Sequence, residues 1–360
     1  MNERMIALYL PQYHPIKEND IWYGKGFTEW TNVAKAKPLF KGHYQPHIPA
    51  DLGFYDLRLR ETRKAQADMA KEYGIEAFCY WHYWFGNGVE LLESPFKEVV
   101  KDKSIDFPFC LAWANHTWQK KMWDNQEENQ VIMEQTYRGE EDYIAHFESL
   151  LPAFKDERYV RVDGKLFFII YDPFDSEEIP KMMKIWNQLA QENGLNGFYF
   201  IGKTFYNERK DEILSLGFDS VYNETMLTIH HNLSLFNKGK LLFQRNILKM
   251  PTVFPYKEAS KYQVTADDYQ ENTIPVIVPN WDHSPRSGSN GMIFTDSHPR
   301  YFKKVVKEAI NSVKDKPDDK KIIIIKSWNE WGEGNHLEPD LKYGTGYLEA
   351  IKETIKESDE

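Results

Sequence analysis

The sequence predicts an α/β fold, a single (β/α)8 barrel of the TIM type with long βα loops. Three observations carry that expectation: eight short apolar runs spread over 360 residues, helical patterns between most of them, and no glycine-rich phosphate loop after any run. Alternating strands and helices imply a parallel sheet, and eight such units close it into a barrel. The missing phosphate loop argues against a doubly wound open sheet, whose nucleotide site is built on one.

The runs are Met5–Leu10, Glu76–Tyr83, Phe107–Ala114, Lys165–Asp172, Phe198–Lys203, Ser220–Glu224, Pro275–Asp282 and Lys321–Glu330. The first is short and ended by Pro11. The eighth is the plainest, since the consecutive isoleucines Ile322 to Ile325 read as a strand buried on both faces. Among the helices, Asp56–Tyr73 is rich in helix formers and stops at Gly74. Glu140–Phe154 and Ile179–Asn193 repeat the pattern, the latter with Asn193-Gly194 as its C-terminal cap. Pro299–Val313 and Tyr347–Glu357 supply further amphipathic helices. Two long inserts interrupt the alternation. One follows the first run and carries Trp22 to Trp30 and the proline-dotted His43–Pro49; the other runs from roughly Thr225 to Thr273. On a barrel such loops lie over the active-site face. No linker, internal repeat or charge block divides the chain, so residues 1–360 read as one catalytic domain.

Aromatic residues make up 15% of the chain, with 11 Trp, 21 Tyr and 22 Phe. Flat aromatic faces stack on sugar rings and on nucleic-acid bases alike. A formal net charge of −10 separates the two uses, because it opposes a phosphate backbone. Nucleic acid is therefore a poor partner, and an oligo- or polysaccharide is the better one. Cys79 and Cys110 each sit inside an apolar run and read as buried thiols, not as a disulfide framework or a metal pair. No stretch approaches the ~20 apolar residues a membrane span needs. With no signal-type segment at the N-terminus either, a cytoplasmic location is expected.

Side chains at the C-terminal ends of barrel strands converge on one pocket. Strand two ends in Trp81, His82, Tyr83 and Trp84, and strand three in Trp113, Asn115, His116 and Trp118. Strands four to six end in Tyr171 and Asp172, Lys203, and Glu224. Strand seven brings Asn280, Trp281, Asp282 and His283; strand eight brings Trp328, Asn329, Glu330, Trp331 and Glu333. Indoles, amides and paired carboxylates form the inventory for binding and cleaving a polyhydroxylated ring. Trp113, Trp281, Trp328 and Trp331 are the expected sugar platforms. Tyr9, His82, Tyr83, Asn115 and Asn280 are the expected hydroxyl contacts, with Asp282 and Asn329 beside them. No H-x-H or H-E-x-x-H spacing occurs, so neither a metal nor another cofactor is expected. Ser287-Gly288-Ser289-Asn290-Gly291 reads as a flexible loop and not as a nucleophile elbow.

The segment Ser327-Trp328-Asn329-Glu330-Trp331-Gly332-Glu333-Gly334-Asn335-His336-Leu337-Glu338-Pro339 resembles the closing motif of the WbsX-like proteins. Tyr9–Pro15, Gly26–Val33 and the Tyr80–Trp84 cluster resemble that family too, and the likeness runs from about residue 4 to residue 355. Those proteins are named as glycosyltransferases of bacterial surface-polysaccharide biosynthesis (lipopolysaccharide and capsule) and are described as glycoside hydrolase family 99-like. A looser likeness to the family 99 endo-α-1,2-mannosidases rests on Asn329-Glu330-Trp331 and Glu333-Gly334. What this second resemblance implies is a retaining hydrolase in which Glu330 and Glu333 are catalytic. Glu330 would deprotonate the sugar's 2-hydroxyl, which attacks the anomeric carbon to give a 1,2-anhydro sugar, while Glu333 protonates the leaving group. Two carboxylates three residues apart cannot easily flank a glycosidic bond, and an internal nucleophile removes that need. Gly332 departs from those hydrolases, which typically carry histidine there, so that contact is missing or supplied from elsewhere. The rival expectations are a sugar-nucleotide-dependent glycosyltransferase, a conventional barrel glycosidase with Asp172 or Glu224 opposed to Asp282, and a non-catalytic glycan-binding barrel.

Overall fold

The computed structural model of the chain describes residues 3–120, 130–226, 229 and 250–359. Its centre is a nearly closed barrel of parallel strands. Strands one to six are Arg4–Tyr9, Ala77–Trp84, Phe109–Trp113, Lys165–Ile170, Phe198–Thr204 and Ser220–Asn223, each hydrogen-bonded to the next. Strand eight, Ile322–Ile325, pairs with strand one in the register Arg4↔Ile322 to Ala7↔Ile325. All four isoleucines are buried, as a strand covered on both faces requires.

Strand seven departs from the expected Pro275–Asp282 run. It is two short pieces around Pro275, so the sheet counts nine parallel segments. Thr273–Ile274 pairs with strand six and Val276–Ile277 with strand eight. Proline has no N–H to give, but its carbonyl accepts from Ile324 N at 3.0 Å, and the segment bridges its two neighbours there. After Ile277 the chain leaves the sheet, which frees Val278–His283 to pack against the strand-eight loop.

Five helices lie close to where the periodicity placed them, and Ser94–Lys101 and Lys210–Ser215 are additional. Arg60–Glu72, Ser94–Lys101, Glu140–Phe154, Ile179–Glu192, Lys210–Ser215, Pro299–Val313 and Gly346–Asp359 alternate with the strands. Helix Ile179–Glu192 ends as its sequence predicts: Gly194 adopts φ +75°, and Leu195 N returns to Ala190 O at 2.9 Å. Its Trp186 is fully buried against Phe154, Phe168 and Phe198, and so ties the helical layer to strands four and five. Cys79 and Cys110 are buried free thiols facing each other across strands two and three.

The insert after strand one folds into helices Lys17–Tyr23 and Glu29–Lys35. Residues 227–228 and 230–249 of the Thr225–Thr273 insert lie outside the described residues. Its later part returns as Thr252–Pro255, which pairs in parallel with Met292–Thr295. Among the described residues no helix is long and apolar enough to cross a membrane.

Candidate active site

Strand eight runs through Lys326 into a loop whose every turn is fastened. Trp328 N donates to Leu8 O at 2.8 Å. Asn329 makes a two-way amide bridge to Leu10, its Oδ1 accepting from the backbone N at 2.7 Å and its Nδ2 donating to the carbonyl at 3.1 Å. Ser327 Oγ accepts from Glu330 N at 2.9 Å and donates to Asn335 O at 2.7 Å. Asn329–Glu330 then pairs antiparallel with Asn335–His336, enclosing the turn Trp331–Glu333. Gly334 closes that turn with φ +53° and lies so near Asp282 that a Cβ would stand 2.7 Å from the Asp282 Cβ. Behind the turn, buried Glu338 accepts from Trp331 Nε1 at 2.6 Å, Gln66 Nε2 at 2.6 Å and Tyr55 Oη at 2.8 Å.

Glu330 and Glu333 emerge from this loop into a cavity of about 490 Å³ at the C-terminal mouth of the barrel. Tyr23, Phe27, Trp81, Tyr83, Trp118 and Tyr171 form its aromatic walls. Phe27 stacks on Tyr23 at 4.6 Å, and Trp118 meets the ring of Tyr83 edge-on at 5.0 Å. Polar atoms come from Gln12, Glu29, Asn32, His116, His283, Arg286 and Lys326.

Arg286 stands at the centre of the charges. It sits in the short helical turn Ser284–Ser287, where the sequence suggested only a flexible loop beginning at Ser287. Its Nε and Nη2 each bond the Glu29 carboxylate at 3.0 Å, and its Nη1 reaches Glu333 Oε1 at 2.6 Å and lies 3.8 Å from Glu330 Oε1. Glu29 is buried, its N–H tied to Gln12 O and its Oε1 also accepting from Asn32. Gly332 makes this possible: a Cβ there would lie 2.0 Å from Glu29 Oε1 and 3.0 Å from Arg286 Nε. The Glu29–Arg286 ion pair thus packs directly against the backbone at Gly332, leaving no room for a side chain there.

The two glutamates are driven apart electrostatically. Burial, with the Glu333 charge beside it, holds the Glu330 carboxyl well above the usual carboxylate range. Burial also pushes Glu333 upward, but Arg286 and His283, 3.6 Å away, overcome it and hold Glu333 well below that range. Lys326 lines the cavity with its charge already committed to buried Glu224, 3.0 Å away. Lys326→Met is expected to strand Glu224 as an uncompensated buried charge, at about 3–5 kcal/mol. A urea midpoint equal to wild type would overturn that assignment.

Of the binding residues expected from sequence, Tyr83 joins Glu330 and Glu333 at the cavity. The others stand behind or beside it, held by protein partners. Tyr9 Oη donates to Gln66, His82 bonds His146 at 2.7 Å, and Trp113 Nε1 donates to the Trp84 carbonyl. Asn115 bridges both backbone groups of Asp172, and Asn280 does the same for His336. Trp328 and Trp331 are buried, Trp331 stacked on His336 at 3.7 Å. Asn329 serves the loop itself. Trp281 and Asp282 line a second cavity of about 40 Å³, where His43 and Gln45 bond the Asp282 carboxylate at 2.6 and 2.8 Å. Strand-end Lys203 is also displaced: its Nζ lies 3.6 Å from the ring centroids of both Tyr171 and Phe205, and burial lowers its pKa to about 8.

Among the described residues one group has metal-compatible donors within 4.8 Å of one another: His47, His336 and Asp340. It lies behind Trp331, and its two rings satisfy each other. His336 Nδ1 donates to the Glu338 carbonyl, so its Nε2 accepts from His47 Nδ1 at 2.9 Å.

A barrel with paired glutamates at its mouth and aromatic walls defines a carbohydrate-active enzyme. The chain belongs to the WbsX glycosyltransferase family, whose pattern it matches over residues 5–351. A protein of Xanthomonas campestris pv. campestris called "Uncharacterized protein WxcX" is 33% identical over 98% of this chain and 49% of its own length. The chain therefore spans about half the length of the curated relatives it matches. Among solved structures, the GH99 endo-alpha-mannosidase from Bacteroides thetaiotaomicron superposes with a TM-score of 0.61 at 16% identity, covering 99% of this chain and 98% of that one. A "Glycoside hydrolase-like protein" superposes with a TM-score of 0.60 at 15% identity, covering 98% of this chain and 94% of that one. The expected fold and family are therefore the observed ones.

Proposed function

We propose that this chain is a retaining glycoside hydrolase that cleaves an α-linked glycan, using the substrate's own 2-hydroxyl as nucleophile and Glu330 and Glu333 as the proton-handling pair. The observation that carries the reading is the distribution of carboxylates around the cavity. Those lining it are Glu330, Glu333 and Glu29, and Glu29 is locked to Arg286. Among the described residues none stands on an opposite wall as a second nucleophile or base would. Placement also speaks against the opposed pair of a conventional glycosidase. Glu224 is bound to Lys326, Asp282 faces the smaller cavity, and Asp172 does not line the larger one.

The same cavity bears on the transferase reading. A nucleotide-sugar donor brings a diphosphate that wants uncommitted cations. Arg286 and Lys326 line the cavity, and both are already paired to carboxylates. The aromatic walls suit sugar faces, with an α-1,2-mannoside as the first linkage to try.

The experiment is product release from α-mannan and bacterial surface oligosaccharides without nucleotide sugar. Release by wild type that disappears in Glu330→Gln and in Glu333→Gln is the expected result. Silence on every glycan, together with a rise in melting temperature on adding a nucleotide sugar, would replace the hydrolase with a transferase.

A further inference from the structure

The resemblance to the family 99 hydrolases implies that Glu333 carries the proton. The contacts around the pair point the other way. Glu333 Oε1 receives the shortest contact of the Arg286 guanidinium, 2.6 Å from Nη1, and has His283 Nε2 at 3.6 Å. A carboxylate so placed is the charged member of a salt bridge. Glu330 Oε2 is buried with no hydrogen-bond partner among the described residues, and Oε1 is no nearer to Arg286 than 3.8 Å. An ionised oxygen left without a donor in a buried wall is costly, and protonating the carboxyl removes that charge.

Resting on the hydrolase reading above, we propose that Arg286, seated by Glu29 over Gly332, divides the labour between the two glutamates. Glu330 rests as the acid that protonates the departing oxygen, and Glu333 rests as the anion that takes the proton of the 2-hydroxyl. In the first step the 2-oxygen forms its bond to the anomeric carbon while the glycosidic C–O bond breaks. The 2-hydroxyl proton passes to Glu333, and the Glu330 proton passes to the leaving oxygen. In the second step water adds to the anomeric carbon and gives a proton to Glu330. The epoxide C–O bond breaks, and the 2-oxygen recovers its proton from Glu333. Both glutamates end as they began, and Arg286 touches the pair without exchanging a proton, so it is a positioning residue.

Every charged or titratable neighbour fits this arrangement. The strand-eight loop itself presents Lys326, neutralised by Glu224 of strand six. Arg286 and His283 face the pair from the turn after strand seven, and Glu29 from the first insert. Burial keeps Tyr23, Tyr83 and Tyr171 protonated and favours neutral His116, and Lys203 behind them is itself desolvated.

The test reads protonation directly and needs no substrate. The δ-carbon resonances of isotopically labelled glutamate are followed with pH in the whole chain, with Glu330 and Glu333 assigned by their disappearance in the two glutamine variants. Glu333 is expected to hold one carboxylate shift from about pH 4 to about pH 9, while Glu330 stays protonated at pH 6 and titrates above neutrality. In Arg286→Gln, and more weakly in Arg286→Lys, Glu333 should titrate at least about one pH unit higher than in wild type. A protonated Glu333 beside an ionised Glu330, or two ionised glutamates at neutral pH, would overturn the proposal in wild type alone. Such a result would leave glycan cleavage itself untouched, and failure on the glycan panel would leave these titrations standing.

Discussion

Glu330→Gln and Glu333→Gln each lower turnover of a natural glycan by about 100- to 10,000-fold, the range of a lost general acid or base. Neither substitution changes side-chain volume much, and the loop is fastened through Ser327, Asn329 and Trp331. A melting temperature close to wild type is therefore expected for Glu330→Gln, whereas Glu333→Gln, which removes a charge from the Arg286 ion pair, also loses stability. The two variants part company on a glycosyl fluoride, whose leaving ion requires no proton. There Glu330→Gln recovers fluoride release in the first step, though not the water addition that follows, and Glu333→Gln recovers neither. The wild-type rate falls on the alkaline side as the raised Glu330 carboxyl ionises, since an acid acts only below its pKa. Full activity in either variant on the natural glycan would remove that residue from the chemistry.

The second large effect belongs to a residue with no side chain. Gly332→Ala places a methyl 2.0 Å from Glu29 Oε1. The carboxylate cannot retreat without leaving Arg286, because Asn32 and the Gln12 carbonyl fix the start of its helix. Breaking one side of a buried ion pair costs about 3–5 kcal/mol. A loss of that order in urea denaturation is expected, together with loss of activity as Arg286 drifts from Glu333. In a Glu29→Ala background the obstruction is gone, and the added cost of Gly332→Ala should shrink to a small remainder. Equal costs in both backgrounds would show that Gly332 and Glu29 do not meet.

Much of the architecture was legible in the chain because barrel strands advertise themselves. Ile322–Ile325, Phe198–Lys203 and Lys165–Ile170 are apolar on both faces, a pattern few other elements share. Strand seven was misjudged in length because Val276, Ile277 and Val278 look continuous, and nothing local announces where the sheet lets go. The placement of Glu330 and Glu333 at the cavity was legible through their motif. The cavity wall was much less so. Trp113, Trp328 and Trp331 lie at strand ends as expected, but their indoles turn beneath the loop and are buried, those of Trp113 and Trp331 bonded to a backbone carbonyl and a carboxylate. The aromatic surface came from other strand-end residues, Trp81, Tyr83, Trp118 and Tyr171, and from Tyr23 and Phe27 on the first insert, whose sequence has no barrel periodicity. Arg286 was invisible for a related reason. Its partners Glu29 and Glu333 lie 257 and 47 residues away in sequence, and a lone arginine beside a Ser/Gly stretch carries no trace of them. The one available hint was the glycine at 332, which marks a close approach without naming the visitor.

The bonds from Leu8 and Leu10 to Trp328 and Asn329 also govern how the protein comes into being. They join positions more than 300 residues apart, so these bonds to the strand-eight loop cannot form on a growing chain until strand eight has been synthesised. Until then strand one has an unpaired edge of Met5, Ile6, Ala7 and Leu8, all fully buried once the barrel closes. An apolar strand edge waiting for its last neighbour invites pairing with the wrong one, and such long-range closure is slow. Losses during synthesis should therefore concentrate in the interval before Ile322–Ile325 arrives, and soluble yield should fall most when that final strand is weakened.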